Sequence, residues 1–193
     1  MKIESERTAV LSLDVQNDLV KITPGMKENK VLENIARVIR AARREGILVI
    51  HITAAVRPDF RDIPRDNPLW INIRESKLMI AGTKGAEIHH KVKPLKAESV
   101  LNKTSVDPFL TTSLRQALQN ADVNTLILAG LWTNYVVEAT ARHASDMGFR
   151  VFVVRECCAS NEVANHEFAL DRILPTLCYV VSLKEILEAI NYM

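Results

Sequence analysis

Five short stretches of this chain are apolar at nearly every position: TAVLSL from Thr8, ILVIHIT from Ile47, TLILAG from Thr125, RVFVV from Arg150 and LCYVV from Leu177. A strand with one wet face alternates polar and apolar residues. A run that is apolar throughout is buried on both faces, as in a parallel sheet covered by helices. The intervening segments have helical signals. Val31, Leu32, Ile35, Val38, Ile39 and Ala42 recur at helical spacing within 27–45, and Gly46 stops that helix. SVLNK, from Ser99, reads as a short strand. Asp107 is placed to N-cap a helix with Pro108 at its first position. Helices are also expected over 135–147, ended by Gly148, and over 161–172. Ser182 and Glu185 form the capping box of the last one. The alternation predicts an α/β three-layer sandwich around a mostly parallel, roughly six-stranded, Rossmann-like sheet, in a single domain over residues 1–193. Residues 54–98 interrupt the pattern. They are irregular and rich in Pro, Arg and Gly, and an excursion this long inside a compact domain serves as a lid or pocket wall.

Composition excludes several partner classes. Lys and Arg total 25 against 23 Asp and Glu, a net charge of +2, with no basic block dense enough for nucleic acid. The richest basic run, RVIRAARREG, is the wet face of a helix. No apolar run is long enough to span a membrane, and MKIESERTAV has no signal-peptide core. Three Cys, two of them adjacent, make a poor disulfide framework, so a reducing, cytoplasmic location is expected.

Ligands of parallel sheets bind beyond the carboxyl ends of the strands. The polar residues there are Asp14, with Gln16, Asn17 and Asp18 behind it, then His51, Lys103, the turn from Gly130 to Asn134, and Arg155 to Cys158. Asp14 and Lys103 each follow a run that is buried, so each charge needs a partner. The plain reading is a structural ion pair plugging the end of the sheet. The sharper reading is an acid/base carboxylate tuned by an ammonium. The turn after Gly130 contains no phosphate-binding glycine motif, and no His, Asp and Cys spacing has metal-ligand form, so neither cofactor nor metal is expected. Cys157 and Cys158 read as small core residues pointing to opposite sides.

The stretches VLSLDVQNDLV, GTKGAEIHHKVKP, NKTSVDPFLTTSLRQAL, LILAGLWTNYVVEATARHASDMGFRVFVV and CASNEVANHEFALDRI resemble, in order, the isochorismatase-like (cysteine) hydrolases. The resemblance implies that fold, with Asp14 and Lys103 at the positions of the family's catalytic pair. It also implies a non-proline cis peptide between Leu131 and Trp132, and backbone N–H groups of Trp132 and Val136 as an oxyanion hole. Further pocket candidates are Gln16, His51, Arg57, Tyr135 and Cys157. Members of the family commonly form homo-oligomers. The chain departs from the pattern at the nucleophile: Val136 occupies the cysteine position, and valine has no lone pair with which to attack. A second departure is TAAVRPDF, where metal-dependent relatives carry Asp and His ligands and this chain has Ala54 and Val56.

Three readings follow. The first is a hydrolase using Asp14 and Lys103 on a small, anionic substrate, with Arg57, Arg61 or Arg65 as a carboxylate clamp. The second is a non-catalytic member that binds a small ligand or a partner. The third is an amidohydrolase in which Cys157 or Cys158 substitutes as nucleophile. An open pocket with Asp14 and Lys103 in contact favours the first. A pocket filled by Val136, Trp132 and Tyr135 favours the second. A thiol close to Asp14 favours the third.

Overall fold

A computed structural model describes residues 3–191, with the side chain of Asn191 excepted. Six strands, β1 (Thr8–Leu13), β2 (Leu48–Thr53), β3 (Ser99–Asn102), β4 (Thr125–Leu131), β5 (Arg150–Ala159) and β6 (Tyr179–Val181), form one sheet in the order β3-β2-β1-β4-β5-β6. Every pairing is parallel. The helices are α1 (Asn17–Ile22), α2 (Val31–Arg44), α3 (Pro68–Ser76), α4 (Pro108–Thr111), α5 (Leu114–Asn120), α6 (Glu138–Asp146), α7 (Val163–Phe168) and α8 (Leu183–Asn191).

Two buried clusters lie on the two faces of the sheet, as the period-2 geometry of a strand requires. Val10, Val49, Ile127 and Phe152 pack with α2 and α8 on one face. Ala9, Leu11, Leu13, Ile50, Leu126, Leu128 and Val153 pack with α5 and α6 on the other. Every residue of β1 and β4 is buried. The expected caps form: Asp107 accepts from Phe109 N–H at 2.9 Å, and Ser182 and Glu185 exchange backbone hydrogen bonds at 2.8 and 3.2 Å. Among the described residues no helix is long and apolar enough to cross a membrane.

The expected mostly parallel, six-stranded sheet forms, and it is parallel throughout. Three other expectations are corrected. The helix begun by Asp107 breaks at Thr112 and Ser113 into α4 and α5, because the Thr112 hydroxyl binds back to Pro108 O at 2.7 Å and caps Leu114 N–H at 3.0 Å. Strand β5 runs on to Ala159, past the apolar run, after a register shift between Leu128 and Gly130. The excursion contains a helix, α3, N-capped by Asn67 with Pro68 behind it.

One polar network ties the segment before β3 to the core. Arg43 of α2 grips Glu98 with two bonds of 2.7 Å, and Leu95 N–H and His51 Nε2 reach the same carboxylate at 2.8 and 3.1 Å. Burial pushes the Glu98 carboxyl up, but Arg43, the Leu95 amide and His51 together outweigh it and hold it at about 2. Burial pushes His51 below its ordinary 6.5 despite the neighbouring carboxylate. Both groups bind fewer protons folded than unfolded, so both lose stability on acidification. Denaturation midpoints measured against pH are expected to start falling below pH 6.5, where unfolded His51 protonates, and to fall further between 4.5 and about 2. Glu98→Gln flattens the lower part of that curve; an unchanged slope there would assign the acid sensitivity elsewhere.

Candidate functional site

Asp14 follows β1 and Lys103 follows β3, and β2 lies between them. The two are brought together because each hangs on the end of β2: Asp14 N–H donates to Ile52 O at 2.9 Å and Lys103 N–H to Thr53 O at 2.8 Å. Lys103 Nζ then donates to Asp14 Oδ2 at 2.8 Å and to Ser105 O at 3.1 Å. Both side chains are buried, and Asp14 Oδ1 has no hydrogen-bond partner. Asp14 has φ +52°, a left-handed conformation that aspartate tolerates better than most residues. Burial pushes its carboxyl above the ordinary range, and the Lys103 ammonium pulls it part of the way back.

Strand β4 delivers the second wall. A Cβ on Gly130 would lie 2.1 Å from Leu13 O, so only glycine lets β4 close against the residue preceding Asp14. The peptide Leu131–Trp132 is cis. Residues Thr133–Val137 form one π-helical turn before α6, an irregularity that is over-represented at functional sites. Three hydrogen bonds anchor the turn: Trp132 Nε1 to Thr23 Oγ1 at 2.7 Å, Thr133 Oγ1 with His166 Nδ1 at 2.7 Å, and Ser160 Oγ to Asn134 Oδ1.

Between the walls is a cavity of about 40 Å³, room for a few water molecules. Asp14, Lys103, Trp132, Tyr135 and Val136 line it, together with Ser105, Val106, Leu19, Ala54 and Leu131. Leu69, Trp70, Ile73 and Met79 of the excursion complete the lining. Those four were not singled out in the sequence; the signal available was an apolar cluster inside an otherwise polar excursion.

Four candidates fall outside the lining. Gln16 is a strap: its Oε1 accepts Ala54 N–H at 2.8 Å, and its Nε2 donates to Ala86 O at 2.8 Å. His51 belongs to the Glu98 network. Arg57 is exposed and turned to Asp59, at 2.8 and 2.9 Å. Cys157 is buried in the α2 face and Cys158 in the opposite one, because neighbours in a strand point apart. Neither lines the cavity. Burial pushes both thiols up, Cys158 to about 12, so position and ionisation both count against the substitute-nucleophile reading. Among the described residues no cluster of three or more His, Cys, Asp or Glu is arranged to hold a metal.

Residues 8–185 match the Isochorismatase domain family, and the chain belongs to that family of hydrolases. It is 28% identical over 170 residues to the uncharacterized isochorismatase family protein YddQ of Bacillus subtilis, covering 87% of this chain and 84% of that one. It is 30% identical over 163 residues to the maleamate amidohydrolase of Pseudomonas putida, covering 84% and 75%. In fold it superposes on a cysteine hydrolase from Pseudomonas syringae with a TM-score of 0.90 at 22% identity, covering 100% and 96% of the two chains.

Replacing Lys103 by Met leaves the Asp14 charge buried and alone. The expected loss of stability is about 3–5 kcal/mol near neutral pH. Without the ammonium the Asp14 pKa rises further, and stability falls as pH rises through it. Chemical denaturation at pH 8 and pH 5 is therefore expected to show the K103M defect shrinking at the lower pH; an equal defect at both would mean that Asp14 is not the group left uncompensated.

Proposed function

We propose that this protein is a hydrolase that works by proton transfer from Asp14, with no protein nucleophile. The observation carrying the reading is the buried Asp14–Lys103 pair, with Oδ2 on the ammonium and Oδ1 unpartnered beside a cavity that also receives Val136. In the acid form Asp14 passes its proton to an electron-rich carbon or to the leaving atom of the substrate. Lys103 stabilises the carboxylate left behind. Water adds to the cationic substrate and gives up a proton, which restores Asp14. In this reading Val136 occupies the position that the family resemblance assigns to the cysteine, and valine has no lone pair with which to form an acyl-enzyme.

The clamp for an anionic substrate would come from Arg57, Arg61 or Arg65; none of the three lines the cavity, and Arg57 is paired with Asp59 at the surface. The apolar lining supports a small substrate with a hydrocarbon body and one polar reacting group. The maleamate amidohydrolase among the relatives supports a small hydrolysable molecule.

A second reading, ligand binding without turnover, is favoured by the burial of Val136 to 1% exposure and by the small volume. Product analysis by NMR on a panel of small enol ethers, esters and amides separates the two. The hydrolase reading expects turnover that Asp14→Asn lowers by about 10²- to 10⁴-fold, with the fold intact by circular dichroism. A folded, fully active D14N protein removes Asp14 from the mechanism, and no turnover of any member leaves the binding reading standing.

Position 136 offers a direct probe of access. Cys and Val are similar in volume, so Val136→Cys is expected to cost under about 1.5 kcal/mol. A thiol beside Lys103 at the start of a helix should titrate below about 8.5. Iodoacetamide is expected to label V136C first at neutral pH, since burial pushes Cys158 and Cys178 up to about 12. An unlabelled thiol in folded protein would mean a site closed to small molecules.

A further inference from the structure

The excursion is held to the body of the protein very unevenly. Its later part is sewn down by backbone: His89 N–H donates to Val15 O at 2.9 Å, Asn17 N–H to Glu87 O at 3.0 Å and Asp18 N–H to Gly85 O at 2.9 Å. Side chains add to this, with Asn17 Nδ2 on Lys84 O at 2.7 Å and Met79 N–H on Asp18 Oδ2 at 2.8 Å. A Cβ on Gly85 would lie 2.1 Å from Asp18 Oδ1, so this seam admits no bulkier residue there.

Residues 57–78 are different. Among the described residues, the hydrogen bonds and ion pairs of this segment stay inside it. Asp62 accepts from Arg57 N–H at 2.9 Å. Asp59 pairs with Arg57. Asn67 caps α3 at 3.0 Å, and Leu78 N–H closes on Ile73 O at 3.3 Å. The two ends of the segment meet at one bridge, where Val56 N–H donates to Met79 O at 2.9 Å and Ala81 N–H to Val56 O at 2.8 Å. Lys77 and Met79, on the outgoing side, both have φ +54°. What joins the segment to the rest is apolar contact alone: Ile63, Trp70 and Ile73 are 5–7% exposed, and Leu69, Trp70 and Ile73 form one side of the Asp14 cavity.

We infer that residues 57–78 are a flap hinged at the Val56–Ile80 bridge. We also infer that Leu69, Trp70 and Ile73 on its underside select the ligand by giving up their place to its apolar body. The space beside Asp14, about 40 Å³, holds only a few waters, so a ligand with an apolar body larger than that enters fully only where the wall gives way. The flap is the part of the wall that moves without breaking a hydrogen bond to the core. Apolar contact is non-directional, so a ligand of matching apolar surface replaces what the flap withdraws. This deepens the proposed function by naming what sets substrate size, yet its test needs no turnover, so a protein that binds and does not hydrolyse still tests it.

Hydrogen exchange on the native protein measures the opening. Amides of α3 are expected to exchange together, about tenfold or more faster than those of Val56 and Ala81 at the hinge, because local opening follows the weakest set of contacts. Exchange of α3 at the hinge rate, or of the whole of 54–98 as one unit, overturns the flap. Selection is read by calorimetric titration with butyramide, benzamide and 2-naphthamide, which share an N–H donor for Asp14 Oδ1 and differ in apolar size. Trp70→Ala is expected to shift the ratio of affinities toward 2-naphthamide by about tenfold, the scale of a few buried methylenes. An unchanged ratio, or no binding of any amide to either protein, overturns the selecting role of the underside.

Discussion

The buried ion pair at the end of the sheet is the constraint on which the site depends. Asp14 and Lys103 come from strands that do not touch, and they meet only because both backbones are pinned to the last residues of β2. The register of three strands is thereby fixed to the residue. A slip of one position in β2 would exchange the side chains it offers to the two helical layers and separate the two charges. Such a pair adds little stability compared with well-packed apolar side chains, because removing two charges from water offsets most of their attraction. Its presence in an otherwise apolar core, with a carboxyl pushed upward by burial, is what the proposed proton-transfer role draws on.

The remaining parts of the site are arranged around that pair. Gly130 lets β4 end against β1, and the π turn that follows carries Trp132, Tyr135 and Val136 to the same cavity. Gln16, Asn17 and Asp18, two to four residues after Asp14, fasten the later part of the excursion beside it. The chain thus uses one short polar segment twice, once to supply the buried carboxylate and once to anchor the excursion.

The layered α/β architecture was legible because β1 and β4 are apolar throughout, and buried parallel strands alone combine that pattern with helical segments between them. The turn after Asp107 was legible only at its start: its cap is local, but the break at Thr112 depends on a hydroxyl choosing its own backbone. At the site, Asp14 and Lys103 stood out as charges that end buried runs. Gln16, His51 and Cys157 lie outside the lining for a shared reason. Position at a strand end says that a side chain is near the site, not which way it turns, and each of the three turns to a partner or a core that only the folded chain supplies. Arg57, taken from the excursion, turns to Asp59. The apolar face of α3 was illegible because nothing local tells a helix that lines a cavity from any other surface helix.

Cys157 and Cys158 are adjacent on β5, and one thiol lies in each of the two helical layers. Two chemically equal groups, separated by a single peptide bond, therefore sample opposite sides of the sheet. A thiol reagent applied during partial unfolding would report the two layers separately and in the same peptide, so the order in which the halves of the sandwich come apart can be read from one fragment by mass.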